Sequence, residues 1–306
     1  MYKYRWPTPF AIDLSGSSGF ELRNEAYKHL QKNKNMSGAE RGSEDQQGYG
    51  LLTEMVIRKE LGLKVEKDKN QSLAYDIFTP NGIKIDVKCR GGEKPFLEKY
   101  TSSDGIPREA KHNLFARQVF DNRLDTDIYL MTHLERPKPG TLPGTSRQRK
   151  WKLYVCGWVS KGRAKREGVY LPRGSLTERG ISGWFPYRGQ EIEFYNKNLN
   201  GISAVEELFE LTKEDVGQDE KRLGGLNLTS VDAVRIIYDL IGRGLLKEEH
   251  LKYVRKELEV ETVIKPFLHP NQYRHVLVWL KEKNKVDDTV LEKVQKILPR
   301  EDFKGI

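Results

Sequence analysis

The sequence is poor in the residues that hold proteins together covalently or through transition metals. Among its 306 residues are two cysteines, Cys89 and Cys156, and neither belongs to a Cys-x-x-Cys pair. This favours a reducing compartment and argues against a structural zinc site. The six histidines are scattered, without His-Glu-x-x-His spacing. A bound metal is therefore expected on carboxylates.

Long apolar stretches are also absent. No run approaches the ~18 apolar residues of a membrane span, and the N-terminal Met1–Trp6 segment lacks the apolar core of a signal peptide. Charged residues make up 32% and aromatic residues 10% of the chain, a composition typical of folded proteins. We expect a cytoplasmic protein with no membrane partner.

Positive charge is concentrated in one region. The net charge is +9, and residues 136–179 contain 12 basic and 2 acidic side chains. Such a patch is typical of a polyanion-binding surface, although a solvated basic surface is the alternative for each residue. The predicted phosphate contacts are Arg147, Arg149, Lys150, Arg163, Lys165 and Arg166. Aromatic residues that either stack on bases or pack in the core are Trp158, Trp184, Tyr187 and Tyr195.

Apolar periodicity and turn signals predict an α/β protein with a helical C-terminal part. The predicted helices before residue 200 are Phe20–Leu30, Gly50–Leu61 and Arg108–Phe120. The predicted strands are Leu73–Thr79, Ile83–Arg90, Asp127–Thr132, Lys152–Val159 and Glu191–Tyr195. A composition change near residue 201 predicts a domain 1–200, with basic loops in 136–190, and a helical domain 201–306 that binds a partner or DNA. We detect no internal repeat.

The hairpin over residues 73–90 contains two acids whose proximity depends on the register. A two-residue Asn81-Gly82 turn would place Asp76 and Asp86 on opposite faces of the sheet. A three-residue Pro80-Asn81-Gly82 loop, with Gly82 in the left-handed conformation, would pair them directly. Both loops fit the local turn chemistry. In the second register Lys88 shares a face with both acids.

Two neighbouring carboxylates repel each other and raise each other's pKa, so a fold rarely keeps them together without a cation. Magnesium accepts a few protein oxygens together with water and phosphate. An adjacent ammonium at Lys88 could orient or deprotonate an attacking water, or stabilise a charged transition state. The combination indicates phosphodiester hydrolysis.

The pattern resembles the PD-(D/E)xK nuclease superfamily, with Asp76 at the end of one strand, Asp86-Val87-Lys88 in the next, and Glu54 on the preceding helix. Tyr75 replaces the eponymous proline. The resemblance implies a restriction-endonuclease-like mixed sheet flanked by helices, and cleavage of DNA in a bacterial or phage-infected cell. It also implies a catalytic set of Glu54, Asp76, Asp86 and Lys88, and Mg²⁺ or Mn²⁺ held by the three acids and the carbonyl of Val87.

Two further DNA contacts are predicted from the same region. Arg90 continues the strand face of Lys88, and Gln118 matches a glutamine on the next helix of some subfamilies. Asn122 stands where those subfamilies have a tyrosine, so no subfamily is assigned, and a surface role remains the alternative for Gln118. Exonuclease or endonuclease action is also left open.

Alternatives remain at the levels of the site and of the function. Glu54 lies on an otherwise apolar helical stripe with Leu51, Ile57 and Leu61, and its alternative partner is Arg58, one turn along the helix. A non-catalytic DNA-binding or assembly protein on a nuclease-like fold would be expected to lose a catalytic residue. An enzyme acting on phosphorylated small molecules would need a phosphate-binding glycine motif, which the sequence lacks. The helical C-terminal part is expected to bind a protein partner or to self-associate.

Overall fold

The chain folds as an α/β protein that divides into two compact units. The computed structural model describes residues 9–32, 44–64, 75–92, 99–101, 107–136, 150–178, 184–186, 189–222, 225–228, 230–258 and 270–297. The first unit takes its residues from Met1–Leu97, Asn122–Arg163 and Leu199–Lys221. The second unit takes its residues from Glu98–Asp121, Ala164–Asn198 and Arg222–Ile306.

Among the described residues, strands predominate up to residue 195 and the elements after it are helices. The strands are β1 (Phe10–Asp13), β2 (Ile77–Phe78), β3 (Lys84–Gly92), β4 (Lys99–Thr101), β5 (Pro107–Glu109), β6 (Lys111–Phe115), β7 (Ile128–Glu135), β8 (Lys152–Ser160), β9 (Val169–Leu171), β10 (Leu176–Glu178), β11 (Trp184–Pro186) and β12 (Glu191–Tyr195). The helices are α1 (Ser17–Lys32), α2 (Glu44–Glu60), α3 (Ala116–Phe120), α4 (Lys161–Glu167), α5 (Glu207–Glu210), α6 (Lys213–Lys221), α7 (Ser230–Gly242), α8 (Glu248–Leu258), α9 (Pro270–Glu282) and α10 (Asp288–Ile297).

The first unit is built on a mixed five-stranded sheet in the order β1-β8-β7-β3-β2. Strands β3 and β7 run parallel, the other neighbours are antiparallel, and β2 forms an edge. Alternation along β3 buries Ile85 and Val87 in the core that also contains Leu52 and Met55 of α2. The polar residues of β3 therefore lie on the opposite face of the sheet.

Residues 199–221 belong to this first unit because they hold the β2–β3 hairpin. The side-chain amide of Asn81, in the hairpin loop, donates to the carbonyls of Phe209 (2.9 Å) and Leu211 (3.2 Å). The carboxylate of Asp127 accepts from the Lys213 ammonium at 2.6 Å and from the backbone N–H of Lys84 at 2.7 Å. These contacts fix the loop of the hairpin and the start of β3.

The two compact units are not divided at residue 201, where the composition changes. Residues 199–221 pack with the first sheet, whereas Val169 and Leu171 of β9 share a core with the C-terminal helices. Strand pairing and burial join segments that are distant in sequence, and no local change of composition records such contacts.

The second unit contains a three-stranded sheet in the order β6-β12-β9. The helix predicted over Arg108–Phe120 is wrong, because its first part forms β5 and β6 and only Ala116–Phe120 is helical. In β6, His112 and Leu114 are buried and pair with Phe194 and Ile192 of β12. This long-range pairing outweighs the local propensity of the segment.

Four helices form two consecutive hairpins of the same design, so the expectation of no internal repeat was wrong. Gly244, between α7 and α8, and Asn284, between α9 and α10, both have positive φ, at 71° and 55°. The next residue in each turn donates its N–H to a leucine carbonyl at 2.9 Å, Leu245 to Leu240 and Lys285 to Leu280.

Among the described residues, no helix has the length and apolar character needed to cross a membrane.

The stability of the second unit should depend on the protonation of His275. Its Nε2 accepts the N–H of Asn227 at 2.8 Å, and burial, with Lys197 nearby, lowers the pKa of His275 to about 4. The folded protein then binds fewer protons than the unfolded chain between about pH 6.5 and 4. As the pH decreases across this window, the free energy of unfolding should decrease by up to ~1.4 kcal/mol per pH unit.

Urea denaturation of the wild-type protein and His275→Gln at several pH values measures this effect. Glutamine keeps an acceptor without a titrating ring, so the variant should lose less stability between pH 6.5 and 4. Parallel stability curves for the two proteins would contradict the assignment.

Candidate active site

The β2–β3 hairpin has the register that brings its two acids together. Ile77 pairs with Ile85 and Phe78 with Lys84, so Asp76, the residue just before this ladder, lies next to Asp86. Thr79 N–H donates to the Ile83 carbonyl at 2.9 Å, and Gly82 has a φ of 76°. The predicted three-residue loop, with Gly82 in the left-handed conformation, is confirmed.

Asp76 is held by the backbone of the neighbouring strand. Its N–H donates to the Ile85 carbonyl at 2.8 Å, and its Oδ2 accepts the Val87 N–H at 2.7 Å. Since the N–H and C=O of one strand residue point to the same side, the Val87 carbonyl faces the same edge of β3. Asp76 thus lies beside the one backbone carbonyl expected in the metal shell.

The carboxyl group of Asp86 lies between a like charge and an opposite charge. The Lys88 ammonium is 2.7 Å from its Oδ1, and the carboxyl group of Asp76 is within hydrogen-bonding reach. Burial raises the pKa of Asp86 to about 6, an effect opposed by Lys88 and increased by Asp76. Two carboxyl groups in contact need a shared proton or a cation.

Lys88 is fixed at both ends. Its backbone carbonyl accepts the Thr132 hydroxyl at 2.9 Å, and its side chain, 18% exposed, extends along the polar face to Asp86. An ammonium held in this position can contact a group bound at the acids without rearrangement of the strand.

Glu54 is buried on α2, on the stripe that reaches β2. Arg58, one turn further along, donates from Nη1 to the Asp76 carbonyl at 2.7 Å and from Nε to the Lys64 carbonyl at 2.7 Å. Glu54 lies one helical turn before Arg58, and residues four apart on a helix have neighbouring side chains. The anchoring of Asp76 by Arg58 had no signal in the sequence.

The donor set at the acids fits a hard divalent cation only in part. Asp76, Asp86 and the Val87 carbonyl offer oxygen ligands, the chemistry that Mg²⁺ prefers, and Mg²⁺ fills its remaining positions with water. In the part of the chain that the structure describes, no group of three or more His, Cys, Asp or Glu side chains is arranged to hold a metal. The structure thus pairs Asp76 with Asp86 and leaves Glu54 outside such a group.

The predicted phosphate contacts differ in their surroundings. Lys150 and Lys165 are exposed, whereas Arg166 donates to Glu167 at 2.9 Å and to the carbonyl of Arg222. Arg147 and Arg149 lie outside the described residues. Arg90 is half-buried on β3, across from His133 of β7, and Gln118 is half-buried in α3, a helix of the second unit.

Arg163 is a correction to the predicted DNA-contact set. Its guanidinium is fully buried and forms an ion pair with Asp219 at 2.9 Å, and neither side chain is exposed to solvent. The other oxygen of Asp219 accepts the Ser160 N–H, also at 2.9 Å. Arg163 therefore supports the first unit and cannot contact a phosphate on its surface.

Two of the four aromatic residues proposed to stack on bases are in the core. Trp158 is completely buried and Tyr195 is 4% exposed, while Tyr187 lies outside the described residues. Trp184 is in β11. For Trp158 and Tyr195 the alternative of core packing is confirmed.

Comparisons of the chain with protein-family models, with curated proteins and with solved structures gave no match. The geometry of the site itself therefore has to indicate the function.

Loss of Arg163 should unfold the first unit rather than weaken DNA binding directly. Arg163→Met leaves the Asp219 carboxylate buried without its cation, which costs about 3–5 kcal/mol. The matched control Lys165→Met, at an exposed position of the same helix, should stay within about 0.5 kcal/mol of the wild-type protein. Urea denaturation measures both, and an Arg163→Met protein of wild-type stability would contradict the structural role.

Proposed function

We propose that the protein is a magnesium-dependent nuclease that hydrolyses phosphodiester bonds of DNA, with a restriction-endonuclease-like arrangement of its first unit. The observation that carries the proposal is the contact between the carboxyl groups of Asp76 and Asp86, with Lys88 2.7 Å from Asp86. The mixed sheet and the helix that carries Glu54 agree with the resemblance to PD-(D/E)xK nucleases.

The metal would be held by Asp76, Asp86 and the carbonyl of Val87. When bound there, Mg²⁺ would neutralise the two carboxylates and polarise the scissile phosphate. We expect Glu54, one turn from the arginine that anchors Asp76, to complete the set, which is the role that the resemblance implies for it.

The protein's own groups would perform the remaining work. Asp86 orients the Lys88 ammonium through their ion pair, and Lys88 can then position the attacking water or stabilise the additional negative charge of the transition state. Before a cation is bound, the negative charge of Asp76 and Asp86 would repel the phosphate. A bound cation would therefore strengthen the binding of the scissile phosphate at this site.

DNA is the polyanion best supported as the substrate. The exposed Lys150 and Lys165, together with the basic composition of residues 136–179, can neutralise backbone phosphates without reading sequence. Arg90 extends the polar face of β3 beyond Lys88 and can contact the next phosphate.

The purified protein should cleave DNA with Mg²⁺ or Mn²⁺ and be inactive in excess chelator. Asp86→Asn should abolish cleavage while preserving the fold, because it removes a charge without changing the packing. Lys88→Ala should lower the rate by roughly 100- to 1,000-fold, the effect of removing one stabilising donor. Gel assays with circular and linear DNA, single- and double-stranded, measure these rates.

Glu60→Gln is the matched control, since it makes the same charge change at the exposed end of α2 and should cleave as the wild-type protein does. Cleavage that continues in excess chelator, or that survives Asp86→Asn, would contradict the proposed site.

A further inference from the structure

An exposed aromatic ring stands beside the paired acids. Phe78 is 53% exposed, more than the other large exposed hydrophobic residues of the described chain, Phe115 at 40% and Tyr238 at 38%. It lies on the edge strand β2 and pairs with Lys84 of β3. Ile77 beside it is completely buried, so the strand is well packed and only its outer face carries this ring.

Phe78 occupies the same face of the hairpin as Asp76 and Asp86. Residues two apart on a strand point to the same side and are separated by about 7 Å. Phe78 pairs with Lys84, which is two residues before Asp86 on β3. The ring therefore lies on the same face as Asp86, at the next pair of that face. A ligand bound at the acids would find the ring within the reach of its adjacent chemical group.

A second aromatic ring, that of Tyr75, lies next to the Phe78 ring. The ring of Tyr75 is 6.1 Å from that of Phe78 between centroids, at an interplanar angle of 40°. The Lys84 ammonium lies 6.0 Å from the Tyr75 ring and also forms an ion pair with Asp125. These contacts hold the aromatic pair in place, so ordering it for a ligand costs little conformational entropy.

We propose that Phe78, supported by Tyr75, is a stacking platform for an unpaired nucleobase next to the phosphate bound at Asp76 and Asp86. The inference rests on the proposed nuclease function and specifies its substrate. Aromatic side chains stack on every base, whatever the sequence. Bases within a duplex already stack on their neighbours, so the platform selects single-stranded DNA or frayed ends.

Binding measured without metal tests the platform independently of cleavage. Fluorescence anisotropy in chelator compares a labelled single-stranded oligonucleotide with its blunt duplex. Phe78→Ala should weaken binding of the single strand by roughly 5- to 150-fold, the range for one stacked base. Phe78→Trp should bind as the wild-type protein does, and duplex affinity should change by less than about twofold.

Phe115→Ala is the matched control, because it removes another exposed phenylalanine, in the second unit, and should leave affinity unchanged. A second measurement avoids any effect of the variant on folding. An abasic position in the single strand should weaken binding to the wild-type protein but not to Phe78→Ala.

Equal affinities of wild-type and Phe78→Ala protein for the single strand would overturn the proposal. So would a wild-type dimer that Phe78→Ala converts to a monomer in sedimentation, with DNA binding unaffected, because the ring would then be a self-association contact. Cleavage without dependence on Phe78 would reject the platform and retain the nuclease. Phe78-dependent binding without any cleavage would do the reverse.

Discussion

The loop Pro80-Asn81-Gly82 determines which side chains meet in the candidate site. With three residues and a left-handed Gly82, it sets Asp76 against Asp86 and leaves Lys88 on the same face. A loop one residue shorter would move one acid into the core face. The Asn81 amide ties this loop to residues 209 and 211, so the register is also held by contacts from a distant part of the chain.

The register has an electrostatic consequence. Burial raises the pKa of Asp86, and the neighbouring carboxyl group of Asp76 raises it further, whereas Lys88 lowers it. We propose that a divalent cation would bind here, since it would replace the repulsion by attraction and the backbone already holds Asp76 in place. The same hairpin also carries the exposed Phe78, so one structural element presents both the paired acids and an apolar ring.

The sequence predicted the parts of the fold that depend on local pattern. The strand Glu191–Tyr195 was predicted with its observed bounds, and the predicted helix Gly50–Leu61 matches the end of α2, which begins earlier, at Glu44. Strand β6 was predicted as helix because its partner, β12, lies far along the chain. The two compact units likewise join segments that are distant in sequence, whereas the predicted boundary at residue 201 follows the change of composition.

Other features lack a sequence signal altogether. Arg163 is one of many basic residues in its region, and only the buried Asp219 distinguishes it. The tandem hairpins escaped notice because their equivalent turn residues, Gly244 and Asn284, differ in type while sharing a left-handed conformation that both tolerate. The exposure of Phe78 follows from the edge position of β2, which alternation alone does not reveal.

The most direct test of the paired acids is Mn²⁺ binding. It is measured as the loss of the EPR signal of free Mn²⁺ when protein is added to the ion. The account predicts that the wild-type protein binds Mn²⁺ and that Asp76→Asn and Asp86→Asn each remove the same binding event. The double variant should then lose no more than either single variant. Wild-type protein that leaves the free-ion signal unchanged, or single variants whose losses are independent and additive, would contradict the shared site.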